Sequence, residues 1–145
     1  MTPESAITSD TTPATDDGIL LSFPKGLLGF PKLTQFRLFE PRDGYPLKFL
    51  QAVEAPEVSF TCIDPAGIKA DYEVPLGEEE SESLRLESTE DALVLTLVVI
   101  PEDPRLMTTN LAGPLVINIK QRVGFQIVLS SDRYPLRFPV LASDS

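Results

Sequence analysis

Hydrophobic residues occur in short runs, and clusters of glycine, proline, asparagine and aspartate separate these runs. In residues 35–39 the pattern puts Phe36 and Leu38 on one face, which is typical of a strand with one side against a core. Comparable runs, bounded by turn-forming residues, predict strands along most of the chain. The predicted strands are residues 19–23, 35–39, 47–53, 58–63, 92–100, 107–111, 115–120, 123–129 and 137–141.

Two segments refine the fold class. Residues 92–100 are nearly all apolar, which a strand tolerates only when both of its faces are covered. Residues 77–84 favour one helical turn, since their acidic side chains lie near its positive N-terminal end. The 14 prolines fit many short strands better than a helix bundle. We therefore predict an all-β fold: a single small antiparallel β-barrel-like or sandwich domain of about eight to ten strands, with at most one short helix.

Two predicted loops carry apolar side chains. The first is FPKGLLGFP at residues 23–31, in which Leu27, Leu28 and Phe30 accompany two glycines; the second is NLAGP at residues 110–114, with Asn110 and Leu111. Glycine and proline exclude both from a helix interior or a central strand, so these side chains either enter a core or face a partner. Asn110 favours the structural alternative, because its side chain is suited to cap a turn.

Polar residues and the cysteine in apolar strands also need an explanation. Gln51 and Gln126 must either find hydrogen-bond partners within the fold or mark a rim where a partner supplies them. Cys62 lies among alternating apolar and hydroxyl residues, which indicates a small core side chain in a reducing compartment. We expect a cytoplasmic protein, because the first residues lack a secretory pattern and residues 92–100 are too short to span a bilayer.

The net charge of −10 is concentrated in two places. Residues 1–17 hold four acids and no base among serine, threonine and proline, so we predict a disordered acidic tail before a domain at residues 18–145. Residues 71–91, hereafter the acidic segment, hold nine acids against Arg85. Such a patch either steers a basic partner or simply keeps the protein soluble and monomeric; it argues against direct binding of nucleic acid.

Catalytic chemistry has little support in the sequence. The chain has no histidine and one cysteine, so the usual serine triad and a zinc site lack their residues. The acids around Glu78 and Glu80 lack the glycine and spacing of a calcium loop. We therefore predict that the protein is not an enzyme and needs no metal or cofactor, and that binding is its function.

Several blocks, in order, resemble the family of the flagellar assembly factor FliW. They are FPKGLLGF (23–30), PLKFLQAVE (46–54), FTCIDP (60–65), DY (71–72), TTNLAGP (108–114), VIN (116–118) and GFQIVL (124–129). The resemblance covers residues 19–141 and omits the tail. It implies a cytoplasmic β-barrel-like protein that binds flagellin before export and, when free, binds the translational repressor CsrA and relieves its repression of flagellin mRNA.

The residues suggest where such partners would bind. An amphipathic flagellin terminus needs an apolar surface, which Leu27, Leu28, Phe30, Asn110 and Leu111 would offer, and an RNA-binding repressor carries bases that Glu78, Glu79, Glu80 and Glu82 would meet. The alternatives are a dedicated flagellin export chaperone without a regulatory partner and a β-barrel module for a small ligand.

Overall fold

A computed structural model describes residues 18–40, 47–88, 91–129 and 134–141 of the protein. The predicted acidic tail at residues 1–17 lies outside the described residues. Within them the chain is mostly strands with one α-helix, which confirms the all-β prediction. The strands are β1 (Ile19–Ser22), β2 (Gln35–Phe39), β3 (Leu47–Ala52), β4 (Ser59–Ile63), β5 (Ala92–Val99), β6 (Thr108–Thr109), β7 (Leu115–Asn118), β8 (Val123–Gln126) and β9 (Phe138–Pro139), and the helix is α1 (Glu78–Leu84).

The sheet closes into a seven-stranded barrel. The strand order is β4-β3-β2-β1-β8-β7-β5, and β4 pairs with β5 to complete the ring. Strands β6 and β9 extend the sheet from the C-terminal end of β5. Pairing is antiparallel as predicted, except between β1 and β8, which run parallel and share the single registered pair Ser22 with Val123. Closure removes most of the exposed edges that a flat sheet of this width would carry.

The barrel interior is the hydrophobic core. Phe36 and Leu38 of β2 are buried on one face, as the alternating pattern predicts. The edge of the Phe23 ring packs on the Phe36 ring, with 5.5 Å between their centroids. Cys62 is fully buried in this core, which confirms its predicted structural role. Burial raises the pKa of the Cys62 thiol from its usual 9.0 to about 12, against a smaller opposing effect of Lys48, so the thiol stays protonated.

Strand β5 is covered on both faces over only part of its length. Leu95 and Thr96 are fully buried, as the apolar run predicts. The prediction is wrong at the C-terminal end, where Val99 is 64% exposed and Ile100 follows the strand with 47% exposure. Val99 lies one residue beyond the last registered pair with β4, that of Val98 with Thr61, and pairs only with Thr108 of the short strand β6.

The strands after β5 are shorter than predicted. Residues 107–111 yield only β6, and β8 ends at Gln126 rather than at residue 129. The physical reason is that the chain loops out of the sheet after β6, so β8 loses its regular partner. Residues beyond β8 bond to that loop instead: Ile127 N donates to Pro114 O, and Leu129 N donates to Ala112 O.

Candidate functional site

Residues 23–33, hereafter the Leu28 loop, leave β1 through consecutive tight turns. Gly26 N donates to Phe23 O at 2.7 Å, and Phe30 N donates to Leu27 O at 2.8 Å. Gly29 is the third residue of this second turn and has φ 87°, as a type II turn requires. This leaves Leu28 at the tip of the loop.

The apolar side chains of the Leu28 loop have different surroundings. Leu27 is 2% exposed and belongs to the core, which corrects the expectation that it faces a partner: the turn directs it into the barrel. Leu28 is 62% exposed. Phe30 is 37% exposed and packs edge-on against Phe60, with 5.5 Å between ring centroids. The surface that this loop offers is therefore Leu28 with part of Phe30.

Residues 110–114, hereafter the Leu111 loop, form a bulge between β6 and β7. Both strands pair with β5, and the five loop residues lie opposite only Thr96 and Leu97 of that strand. Asn110 Oδ1 accepts from Ala112 N at 2.9 Å, which confirms the predicted turn cap. Leu111 is fully buried, so the expectation that it faces a partner is corrected as well: the bulge folds its side chain inward.

The side chain of Gln126 joins the two loops. Leu28 N donates to Gln126 Oε1 at 2.8 Å, and Gln126 Nε2 donates to Gly113 O at 2.9 Å. Gln51 Nε2 instead donates to Pro56 O at 2.9 Å within its own hairpin. Both glutamines therefore find partners inside the fold, one of the two alternatives that the sequence left open.

The acidic segment contains α1, which begins after Gly77 and confirms the predicted helical turn. Glu78, Glu79 and Glu82 are exposed. Among the described residues none of these three carboxylates forms an ion pair. Glu80 is partly buried, and its Oε1 accepts from Gly77 N at 2.8 Å in a capping arrangement. Within the described part of the chain, three of the four predicted glutamates thus present carboxylates without an ion pair, while the fourth caps the helix.

Asn118 fixes the end of α1 to the barrel, a role that sequence reasoning missed. It is 2% exposed, and its Nδ2 donates to Leu84 O at 2.8 Å and to Arg85 O at 3.1 Å. Arg85 ends the helix with φ 57°. The available signal was a polar amide at the end of the otherwise apolar run 115–118. These bonds hold the C-terminal end of α1 against the barrel.

Tyr72 ties the start of the acidic segment to the Leu111 loop. Its hydroxyl donates to Leu111 O, and its ring meets that of Tyr134 edge-on, with 4.7 Å between centroids. Glu73 N donates to the hydroxyl of Tyr134 at 3.2 Å. Burial, and secondarily the neighbouring Tyr134, raise the pKa of Tyr72 well above its usual value, so the hydroxyl remains a donor at neutral pH.

Two adjoining cavities lie along the outer side of β5. Their volumes are about 270 and 220 Å³, and Val74, Ala92 and Val94 line both. The described ranges contain no group of three or more acidic or cysteine side chains placed to hold a metal ion. In the same ranges no helix has the length and apolar character needed to cross a membrane.

The fold and these features define a closed β-barrel scaffold with an apolar loop tip and a carboxylate-bearing helix on its surface. A model of the FliW protein family matches residues 7–140. The chain is 39% identical over 125 residues to the flagellar assembly factor FliW of Carboxydothermus hydrogenoformans, covering 86% of this chain and 80% of that protein. It is 34% identical over 126 residues to the factor of the same name from Clostridium botulinum, covering 87% and 88%.

A solved structure agrees with this relationship. The crystal structure of a flagellar assembly factor FliW superposes with a TM-score of 0.81 and 25% identity, covering 92% of this chain and 93% of that one. The chain therefore belongs to the FliW family of flagellar assembly factors, and the resemblance seen in the sequence is confirmed. The family match begins at residue 7, within the segment predicted as a tail.

Proposed function

We propose that this protein works by binding and not by catalysis, as a partner-exchange switch in the cytoplasm. It holds flagellin before export; when flagellin is absent, it binds CsrA and relieves repression of flagellin mRNA. The observation that carries the proposal is the presence of two chemically different exposed features on one scaffold. The tip of the Leu28 loop is apolar, whereas α1 presents carboxylates without ion pairs in the described residues.

The Leu28 loop suits an amphipathic flagellin terminus. Leu28 stands on a turn that is closed by the backbone bonds between Leu27 and Phe30. Phe30 packs on Phe60, so the apolar surface is formed before a partner arrives. A preformed surface loses little conformational entropy on binding. An amphipathic segment would bury Leu28 and the exposed part of Phe30 under its apolar face.

Helix α1 suits a basic partner such as an RNA-binding repressor. Glu78, Glu79 and Glu82 form a local negative field that accelerates encounter with lysine- and arginine-rich surfaces. Asn118 fixes α1 on the barrel, so the field has a defined direction. Partner exchange then needs only overlapping or negatively coupled binding, and coupling of about 1–3 kcal/mol changes affinity about 5- to 150-fold.

Calorimetric titration with purified flagellin monomer and purified CsrA tests this proposal. We expect the protein to bind each partner alone, and added flagellin to displace bound CsrA. Binding of flagellin without CsrA would favour the dedicated export chaperone. Binding of neither would leave the small-ligand module as the better description.

Matched variants assign each partner to its surface. Leu28→Ser should weaken flagellin binding on the order of 10-fold through lost apolar contact, while Leu106→Ser, at a leucine with similar exposure of 65%, should not.

A triple change of Glu78, Glu79 and Glu82 to Gln should slow CsrA association on the order of 10-fold and flatten its salt dependence. The same change at the exposed Glu54, Glu57 and Glu102 is the charge-matched control. Equal effects of test and control variants would contradict the assignment.

A further inference from the structure

The end of β8 lies beneath the Leu28 loop and contacts it twice. Side chains two residues apart on a strand share a face, which places Gly124 and Gln126 toward the same side. At Gly124 the Phe23 ring lies so close that an added Cβ would come within 2.8 Å of it. At Gln126 the side-chain amide receives the Leu28 backbone N–H. One strand thus supports both the base and the tip of the loop.

The backbone N–H of Leu28 is joined to the barrel through the side chain of Gln126. The backbone groups of Leu27 and Phe30 bond to each other across the turn, so they close the loop on itself. The hydrogen bond from Leu28 N to Gln126 Oε1 reaches a residue 98 positions away in the chain. It therefore fixes the orientation of an exposed turn relative to a distant strand.

The other half of the Gln126 amide is equally specific. Nε2 donates to Gly113 O in the Leu111 loop, and a Cβ at Gly113 would lie 3.0 Å from this Nε2 and 3.1 Å from Asn110 Nδ2. A side chain at position 113 would press on both amides. The absence of a side chain there lets Gln126 reach the carbonyl, and the oxygen and nitrogen of one amide then serve two loops.

We infer that Gln126 is a positioning residue, which joins the Leu28 loop to the Leu111 loop and so holds Leu28 in the orientation in which it meets a partner. The partner in this inference is the flagellin terminus, so the inference rests on the proposed function. Gln126 itself is partly buried, and its role is exerted through the backbone of Leu28.

The test replaces the amide with a side chain of similar size. Gln126→Met fills the same space and makes neither hydrogen bond. We expect hydrogen exchange of the Leu28 amide in the free, full-length protein to accelerate on the order of 10-fold, and flagellin affinity to fall about 5- to 10-fold, as for one or two lost hydrogen bonds. CsrA affinity should stay unchanged. Gln51→Met, which removes a glutamine bond within a hairpin, is the matched control and should leave Leu28 exchange and both affinities as in the wild type.

A second variant separates the two halves of the bridge. Gln126→Glu keeps an acceptor for Leu28 N and loses the donor to Gly113 O. We expect Leu28 exchange to stay slow, exchange in the Leu111 loop to rise, and flagellin affinity to lie between wild type and Gln126→Met. This graded rescue distinguishes positioning of Leu28 from a general loss of packing at position 126.

The outcomes are distinct from those that test the proposed function. If wild-type protein fails to bind flagellin, the proposed function is wrong, while slow Leu28 exchange that Gln126→Met accelerates still supports the bridge. Unchanged Leu28 exchange in Gln126→Met overturns the inference. If the wild-type protein binds flagellin, accelerated Leu28 exchange in Gln126→Met with no change in flagellin affinity also overturns the inference.

Discussion

The Leu28 loop and the Leu111 loop have similar compositions and opposite roles. Both contain leucine, glycine and proline, yet Leu28 is 62% exposed and Leu111 is fully buried. The backbone explains the difference. The Leu28 loop bonds mainly within itself, whereas Leu111 bonds outward at both backbone groups, with its N–H donating to Pro135 O and its carbonyl accepting from Tyr72. Leu28 is exposed at the tip of a turn closed by Leu27 and Phe30, whereas Leu111 is buried where two segments distant in the chain bond to its backbone.

Truncating each leucine should give the largest contrast. Leu111→Ala removes a fully buried side chain, and we expect it to lower the free energy of unfolding by about 2–5 kcal/mol. Leu28→Ala should change it by less than about 0.5 kcal/mol, because the side chain already faces water. Chemical denaturation of both variants measures this. Comparable losses would show that Leu28 is packed and not presented.

The two glycines of the Leu28 loop provide a second contrast. At Gly26, with φ 68°, a Cβ would lie 2.5 Å from Phe30 O, so Gly26→Ala forces the backbone to move and should cost more than about 2 kcal/mol. At Gly29, with φ 87°, nothing lies within 4 Å, so Gly29→Ala carries only the left-handed strain of about 1 kcal/mol. Unfolding midpoints in denaturant rank the two. The reverse order would contradict the turn geometry described for this loop.

Removal of the Tyr72 hydroxyl should have a smaller effect, confined to the Leu111 loop. Tyr72→Phe loses the bond to Leu111 O and should cost about 1 kcal/mol, with hydrogen exchange rising in residues 110–114 and not at Leu28. Exchange mapped by mass spectrometry reads this out. Acceleration at Leu28 of the same size would mean that the two loops loosen as one unit.

The pH dependence of stability tests the same contact. The pKa of Tyr72 is higher in the folded than in the unfolded protein. Above pH 10.0, the usual pKa of tyrosine, the unfolded state therefore releases a proton that the folded state retains. This contribution is complete below that pH and is lost as pH rises toward the folded pKa. Thermal unfolding between neutral and strongly alkaline pH should therefore show a shallower decline for Tyr72→Phe than for wild type. Parallel declines would argue that Tyr72 ionises equally easily in both states.

Local patterns in the sequence predicted the elements whose causes are local. Strand β2 has the predicted bounds because buried and half-buried side chains alternate along its whole length. Helix α1 begins after Gly77 because acidic side chains in a first turn stabilise the start of a helix. The family resemblance rested on ordered blocks and was confirmed by the comparisons. These inferences did not require any contact between distant residues.

The fate of the candidate site residues depended on contacts between distant segments. Leu27 and Leu28 are adjacent and chemically identical, and only the turn decides which one enters the core. Gln126 was identified as a polar residue in need of partners, but its partners lie 98 and 13 positions away. Pairing over such separations is set by the closed barrel, which no local pattern encodes.

The parallel junction of β1 and β8 has a consequence for where the barrel opens by local unfolding. Each antiparallel contact among β1, β2, β3 and β4 has four or five registered residue pairs. The junction of β1 and β8 has one registered pair, Ser22 with Val123, and a further bond from Ser22 N to Arg122 O at 2.9 Å. We expect β1 and β8 to separate before the other strand pairs of the ring. Beyond this pair, Leu28 N donates to Gln126 Oε1 at the other end of β8. This bond adds a second connection between β8 and the chain that follows β1, at the junction of the ring that has the fewest registered pairs.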